Sequence, residues 1–153
     1  MGMSAYFTSL RAKVGPELLV IPGVSVLIWD VDGRLLLARE TLTGPWGLIG
    51  GAVEPNEAPE DAARREALEE VGVNIEITGI RAVLGGPAYL IRYENGDEVS
   101  YVSTVYDARI GSGRLAPDFD EVQEIGWFGP EEMSALTLNG FASATLRAIE
   151  VLH

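Results

Sequence analysis

The sequence predicts an α/β fold in which helices sandwich a mixed β-sheet. Apolar, β-branched runs recur along the chain, two of them followed by hairpin-type turn residues. One helix-forming stretch interrupts these runs near the middle, and a second closes the chain. This order lacks the regular strand–helix alternation of a doubly wound parallel sheet.

Tyr6, Phe7, Leu10 and Val14 fall near helical spacing and predict a short helix within 3–14. GVSVLIW (23–29) reads as a buried strand, and Asp32-Gly33 as the turn of a hairpin whose returning strand is RLLLARE (34–40). TLTGPWGLIGG (41–51) reads as a glycine-rich loop. Pro59 suits the first turn of a helix, Glu60 and Asp61 favour its positive end, and Gly72 is placed to stop it. Strands are expected at 75–85, 88–93 and 98–109, the last two joined by a hairpin at Glu94-Asn95-Gly96-Asp97. Residues 113–122 form an acidic loop, EIGWF (124–128) a short strand, Pro130 a helical turn, and 139–152 a closing helix. No repeat or linker is visible. The 153 residues fit one domain, 1–153, with 1–19 as an N-terminal extension.

Composition narrows the chemistry. There is no cysteine, which excludes disulfides, thiolate nucleophiles and Cys-zinc sites and fits a cytoplasmic location. The one histidine is His153, the last residue, so histidine-based triads and metal sites are disfavoured. No apolar run reaches the roughly 18–20 residues that span a bilayer, so no membrane partner is expected. The N-terminus lacks a secretory pattern, and Tyr6 breaks the myristoylation pattern that Met1-Gly2 would begin. The net charge of −12 would repel a nucleic-acid polymer. A small anionic substrate remains compatible if a cation supplies positive charge.

The acids are clustered. Eight lie between Glu54 and Glu76, against two arginines, Arg64 and Arg65. At about 100° per residue, Glu66, Glu69 and Glu70 project from one helix face, within roughly 5–6 Å of one another. Like charges so placed destabilise a helix unless something compensates. A hard divalent cation such as Mg²⁺ or Mn²⁺ takes oxygen ligands of this kind. Gly50 and Gly51 precede the helix and allow backbone to approach a ligand closely. A solvated acidic face is the alternative reading of these glutamates.

The segment 51–73 resembles the Nudix box: Gly51, Glu57, Arg65-Glu66, Ala67, Glu69-Glu70, Gly72 and Val73 occupy its specified positions. WGLIGG resembles the family's entry to the box, with Ile49 replacing a common Pro, and Asn56 replaces a common Gly before Glu57. The resemblance extends over about residues 20–152. It implies a Nudix-type α/β/α sandwich with a mixed β-sheet. It also implies hydrolysis of a nucleoside diphosphate linked to another moiety, such as a nucleoside triphosphate, ADP-ribose, a nucleotide sugar or a dinucleoside polyphosphate.

Carried over by position, the resemblance makes Glu66 and Glu70 direct ligands of Mg²⁺ or Mn²⁺, with Glu69 direct or through water. The Gly50 carbonyl would join them, and Glu57 would stand behind or hold a further ion. Arg65 would orient the glutamates. Glu121, six residues before Trp127, is the first candidate for general base, with Asp118, Asp120 and Glu124 as competitors. Arg39 is a candidate phosphate donor, with pairing to a neighbouring glutamate as its alternative. Tyr89, Tyr101 and Phe128 are candidates for stacking on a base or sugar, or else core residues. The expected partner is a small nucleotide-type substrate, and the family's habits leave room for a homodimer. A non-catalytic Nudix domain that senses a nucleotide or ADP-ribose-like ligand is the competing function. Isopentenyl diphosphate isomerase chemistry on this fold needs a cysteine that the chain lacks.

Overall fold

The computed structural model describes residues 3–153; Met1 and Gly2, where the myristoylation pattern would begin, lie outside the described residues. Strand β1 (Leu19–Ile28) organises the main sheet. It pairs in parallel with β6 (Glu98–Gly113) and antiparallel with β3 (Ile49–Ala52). On the far side of β6 lie β4 (Val73–Leu84), and β5 (Leu90–Arg92) where it pairs with the start of β6, both antiparallel. The main path runs β3-β1-β6-β4, a mixed sheet as predicted. A separate two-stranded sheet pairs β2 (Leu35–Arg39) with β7 (Glu124–Phe128).

Alternation along β1 sets up the layers. Val24, Val26 and Ile28 face helix α2 (Pro59–Val71), whose Ala62, Ala63, Ala67 and Val71 are fully buried against them. The three alanines let α2 lie close to the sheet, and burying the whole stripe compensates for its weak apolar character. Leu27 points the other way, into a cluster with Met133 of α3 (Pro130–Ser134) and Leu146 of α4 (Gly140–Ala148). Phe7 of α1 (Ala5–Val14) packs with Ile21, Ala52 and Val99. Helices therefore cover both faces of the sheet.

Several sequence expectations need correction, among them the strand expected at 88–93, of which only Leu90–Arg92 is extended while Pro87–Tyr89 forms a 3-10 turn. Asp32-Gly33 does lie in a tight turn, held by the Gly33 N–H on the Asp30 carbonyl at 3.2 Å. However, β2 does not return along β1. Only Trp29 and Leu35 bridge, and β2 then leaves to pair with β7. Its Leu35 and Leu37 enter one core cluster and Leu36 and Ala38 the other, so the strand is buried on both faces. Residues 49–51 of the expected loop join Ala52 in the edge strand β3. The closing helix stops at Ala148, after which the N–H groups of Val151 and Leu152 both donate to the Leu146 carbonyl, at 2.9 and 3.0 Å. No helix among the described residues is long and apolar enough to cross a membrane.

Candidate active site

Helix α2 begins at Pro59 and ends on Gly72, whose φ of 75° is left-handed backbone suited to glycine. Arg65, near its middle, gathers the acids around it. Its Nε and Nη2 form a fork on Glu57 at 2.8 and 3.0 Å. Its Nη1 donates to Glu66 at 2.9 Å and Glu69 at 3.3 Å, and Nη2 also reaches the Ala52 carbonyl at 3.1 Å. The Arg65 hydrogen bonds hold the Glu57 carboxyl below the usual range, and the Glu57 partnership holds Arg65 firmly protonated. Asn56, at a φ of 61°, turns the chain so that Glu57 meets Arg65. Asparagine is one of the few side chains that tolerates this conformation, so it can stand where the family commonly has glycine.

Glu66 and Glu70 lie differently. They are 3% and 7% exposed, and their carboxyls hydrogen-bond to each other. Burial pushes both up from the usual range. Glu70 is pushed further because it donates the shared proton to Glu66 and lies near the charge of Glu121. The Gly50 N–H donates to Glu70 and opposes that shift. Because N–H and C=O of one residue leave an extended strand on the same side, the Gly50 carbonyl points the same way. Only glycine fits there: an added Cβ would lie 2.1 Å from the Val24 carbonyl oxygen.

These groups line one end of a cleft of about 1310 Å³. From the carboxylates it passes around β3, across Ser25 of β1 and Ser103 of β6, and on to α1 and the turn joining β5 to β6. Glu121 stands in its wall. Of the competing loop acids, Asp118 accepts the backbone N–H groups of Asp120, Glu121 and Val122 at 3.1, 3.1 and 2.8 Å, shaping the loop that carries Glu121. Asp120 is exposed. Glu124 is bound to Arg39.

Other expectations change. Glu69 meets Glu66 only through the shared Arg65 Nη1, and its side chain is 59% exposed. Glu57 is likewise committed to Arg65. Among the described residues, no three acidic side chains form a ready cage for a cation. Arg65 instead binds Glu57, Glu66 and Glu69. Glu66, Glu70 and the Gly50 backbone are nonetheless an oxygen donor set that suits a hard divalent ion. A cation there would take the place of the proton the two buried carboxyls share and let both ionise.

Arg39 lines the cleft, but Nε binds Glu124 at 2.7 Å, Nη2 binds it as well, and the guanidinium lies 4.6 Å from the Trp46 ring centroid. Its guanidinium is therefore already paired with Glu124. Tyr89 is 4% exposed, edge-on to Phe141 at 5.0 Å and 3.5 Å from the Thr145 hydroxyl, so it is a core residue. Phe128 packs on Trp46 at 4.9 Å beside α3 and α4, again internally. Tyr101 does line the cleft.

The sequence reading missed two features of this cleft. Ser25 and Ser103 are buried on its floor with hydroxyls 3.2 Å apart. For Ser25 the signal was a lone polar residue within an apolar strand; Ser103 lies in a polar-rich strand and carries no such signal. Phe141 arrives from α4, and nothing local in the sequence points it there.

The NUDIX domain family model matches residues 20–149. The chain belongs to the Nudix hydrolase family. A MutT-like protein of Streptomyces ambofaciens is 28% identical over 148 residues, spanning 97% of this chain and 88% of that protein. The nucleoside triphosphatase NudI of Escherichia coli O1:K1 is 32% identical over 124 residues, 76% of this chain and 87% of its own. The crystal structure of a MutT NUDIX hydrolase from Burkholderia pseudomallei superposes with a TM-score of 0.67 at 30% identity, covering 88% of this chain and 98% of that one. This Nudix chain thus shares its fold with its relatives, and all the specified box positions are filled.

Proposed function

We propose that this Nudix chain hydrolyses the phosphoanhydride bond of a nucleoside diphosphate linked to another moiety, using Mg²⁺ or Mn²⁺. The observation that carries the reading is the buried Glu66–Glu70 pair, held against the Gly50 backbone at one end of a large cleft. Two acids so placed destabilise the metal-free protein and suit a cation-bound one.

Glu66, Glu70 and the Gly50 carbonyl would hold the ion, with Glu69 able to join by turning from Arg65. When bound, a divalent ion neutralises phosphate charge and makes water a better nucleophile. The remaining work falls to the chain. Arg65 keeps Glu57 ionised and holds both Glu57 and Glu69 in position. A carboxylate oxygen of Glu121 takes the proton from the water that attacks phosphorus. The Ser25 and Ser103 hydroxyls offer neutral hydrogen bonds to the substrate along the floor. The MutT-like and NudI relatives make nucleoside triphosphates the first substrates to try.

The test is a panel of nucleoside triphosphates, ADP-ribose, nucleotide sugars and dinucleoside polyphosphates, incubated with Mg²⁺ or Mn²⁺ in ¹⁸O-water. Mass spectrometry should find a nucleotide product, with one ¹⁸O on a phosphate and none formed in EDTA. No metal-dependent product from any compound would overturn the proposal and favour a binding domain.

A further inference from the structure

The family match begins at residue 20, yet α1 lies before it and still walls the cleft, through Phe7 and Arg11. One side chain fastens that wall. Arg11 is only 9% exposed. Its Nη1 donates to the Gly15 and Glu17 carbonyls at 3.1 and 2.5 Å, and Nη2 to the Glu98 carbonyl at 2.7 Å. Its Nε lies 3.5 Å from the Asp97 carboxylate. A single guanidinium thus ties the end of α1, the loop after it and the β5–β6 hairpin together. A guanidinium is suited to this because its donors fan out in a fixed plane.

The hairpin so fixed presents Tyr93, and β6 presents Tyr101. Their hydroxyls are 3.4 Å apart, too far to satisfy one another well, so both keep capacity for an occupant. The Tyr101 ring stands edge-on to Phe141 at 6.1 Å. This end of the cleft offers ring surfaces and phenol hydroxyls, whereas the other end offers carboxylates for a cation and phosphates. A planar, heteroatom-bearing ring fits the aromatic end.

We infer that Arg11 is a positioning residue that locks α1 to the β5–β6 hairpin as a rim around the nucleobase of the substrate, with Tyr93 and Tyr101 touching the base. The inference rests on the proposed nucleotide substrate. Arg11 itself touches no substrate. Loss of the tie loosens the grip on the base and leaves the phosphate end unchanged.

The test compares wild type, Arg11→Ala, Arg11→Lys and Tyr93→Ala by calorimetric titration in Mg²⁺ with AMP, GMP, CMP and UMP, and with ribose 5-phosphate as the base-free control. Wild type should bind at least one nucleoside monophosphate more tightly than ribose 5-phosphate. Arg11→Ala should lose about tenfold of that preference with ribose 5-phosphate binding unmoved, and Arg11→Lys should recover part of it. On any nucleotide the enzyme hydrolyses, KM should rise by a similar factor and kcat stay within about twofold, the pattern of lost uniform binding. Equal affinities in wild type and Arg11→Ala, an equal loss for ribose 5-phosphate, or no nucleobase preference in wild type would each overturn the inference. Tyr93 is exposed, so Tyr93→Ala tests the grip even if Arg11→Ala unfolds; an unchanged preference there also overturns it. Failure of the proposed function would look different, because titration reads binding whether or not turnover occurs.

Discussion

Replacing Glu70 by Gln should make the metal-free protein more stable at neutral pH while removing its response to Mg²⁺. Glu70 is 7% exposed and is faced by Glu66 on its own helix, by Glu121 from the loop, and by the Gly50 N–H. Its carboxyl is pushed up by burial and by the bond it donates to Glu66. In the unfolded chain it ionises in the usual range, so above that range the folded protein holds a proton that the unfolded chain has lost. Stability is then fully present below the unfolded pKa and falls as pH rises, by about 1.4 kcal/mol per pH unit for one proton. Between pH 5.5 and 7.5 that amounts to roughly 2–3 kcal/mol. Gln keeps a donor toward Glu66 and an acceptor for Gly50 but takes up no proton, so the variant loses this slope. For a chain of this length the gain at pH 7.5 is about 4–10 °C in melting temperature. Calorimetric melts in EDTA from pH 5.5 to 7.5, repeated with saturating Mg²⁺, measure both effects. A variant that melts below wild type in EDTA at pH 7.5, or that keeps the wild-type rise with Mg²⁺, would refute the reasoning.

Glu121→Gln should lower kcat by about 10²- to 10⁴-fold with an unchanged melt, read by single-turnover kinetics; a few-fold loss would move the proton-acceptor role elsewhere. Arg65→Lys cannot reproduce the fork on Glu57, and should cost about 1–3 kcal/mol in urea unfolding as well as most of the metal-dependent turnover. Gly50→Ala drives a Cβ against the Val24 carbonyl, so β3 must shift. About 1–3 kcal/mol of stability should go, with turnover falling more than the fold loss explains, and a wild-type rate would show that the strand position does not matter.

How much of this was legible in the sequence depends on the range of each signal. Helix α2 was legible to its ends because Pro59, the alanines and Gly72 act within a single helix. The hairpin at 93–97 was legible for the same reason. The partner of β2 was not. A turn at 30–33 favours pairing with β1, but burial of Leu35, Leu36 and Leu37 on both faces draws the strand to β7, almost ninety residues away. Tyr89, Phe128 and Tyr101 carry the same ring chemistry in the sequence. Only the fold shows that the first two rings are spent on Phe141 and Trp46, while the third lines the cleft.

The acidic cluster shows most clearly what spacing can and cannot convey. A helical wheel places Glu66, Glu69 and Glu70 on one face and treats them alike. The fold separates them by depth. Glu69 stays at the surface, where Arg65 and solvent balance its charge. Glu66 and Glu70 are drawn below it by the burial of Ala63, Ala67 and Val71, whose packing fixes how the helix is rolled. The apolar stripe that secures the helix therefore also carries two acids out of water. Arg65 balances one of them with a direct bond and leaves Glu70 to a proton and a backbone N–H. A fold selected for stability alone would place an alanine or glutamine at 70. An acid in this buried, cleft-facing position is what the proposed divalent cation would need as a ligand.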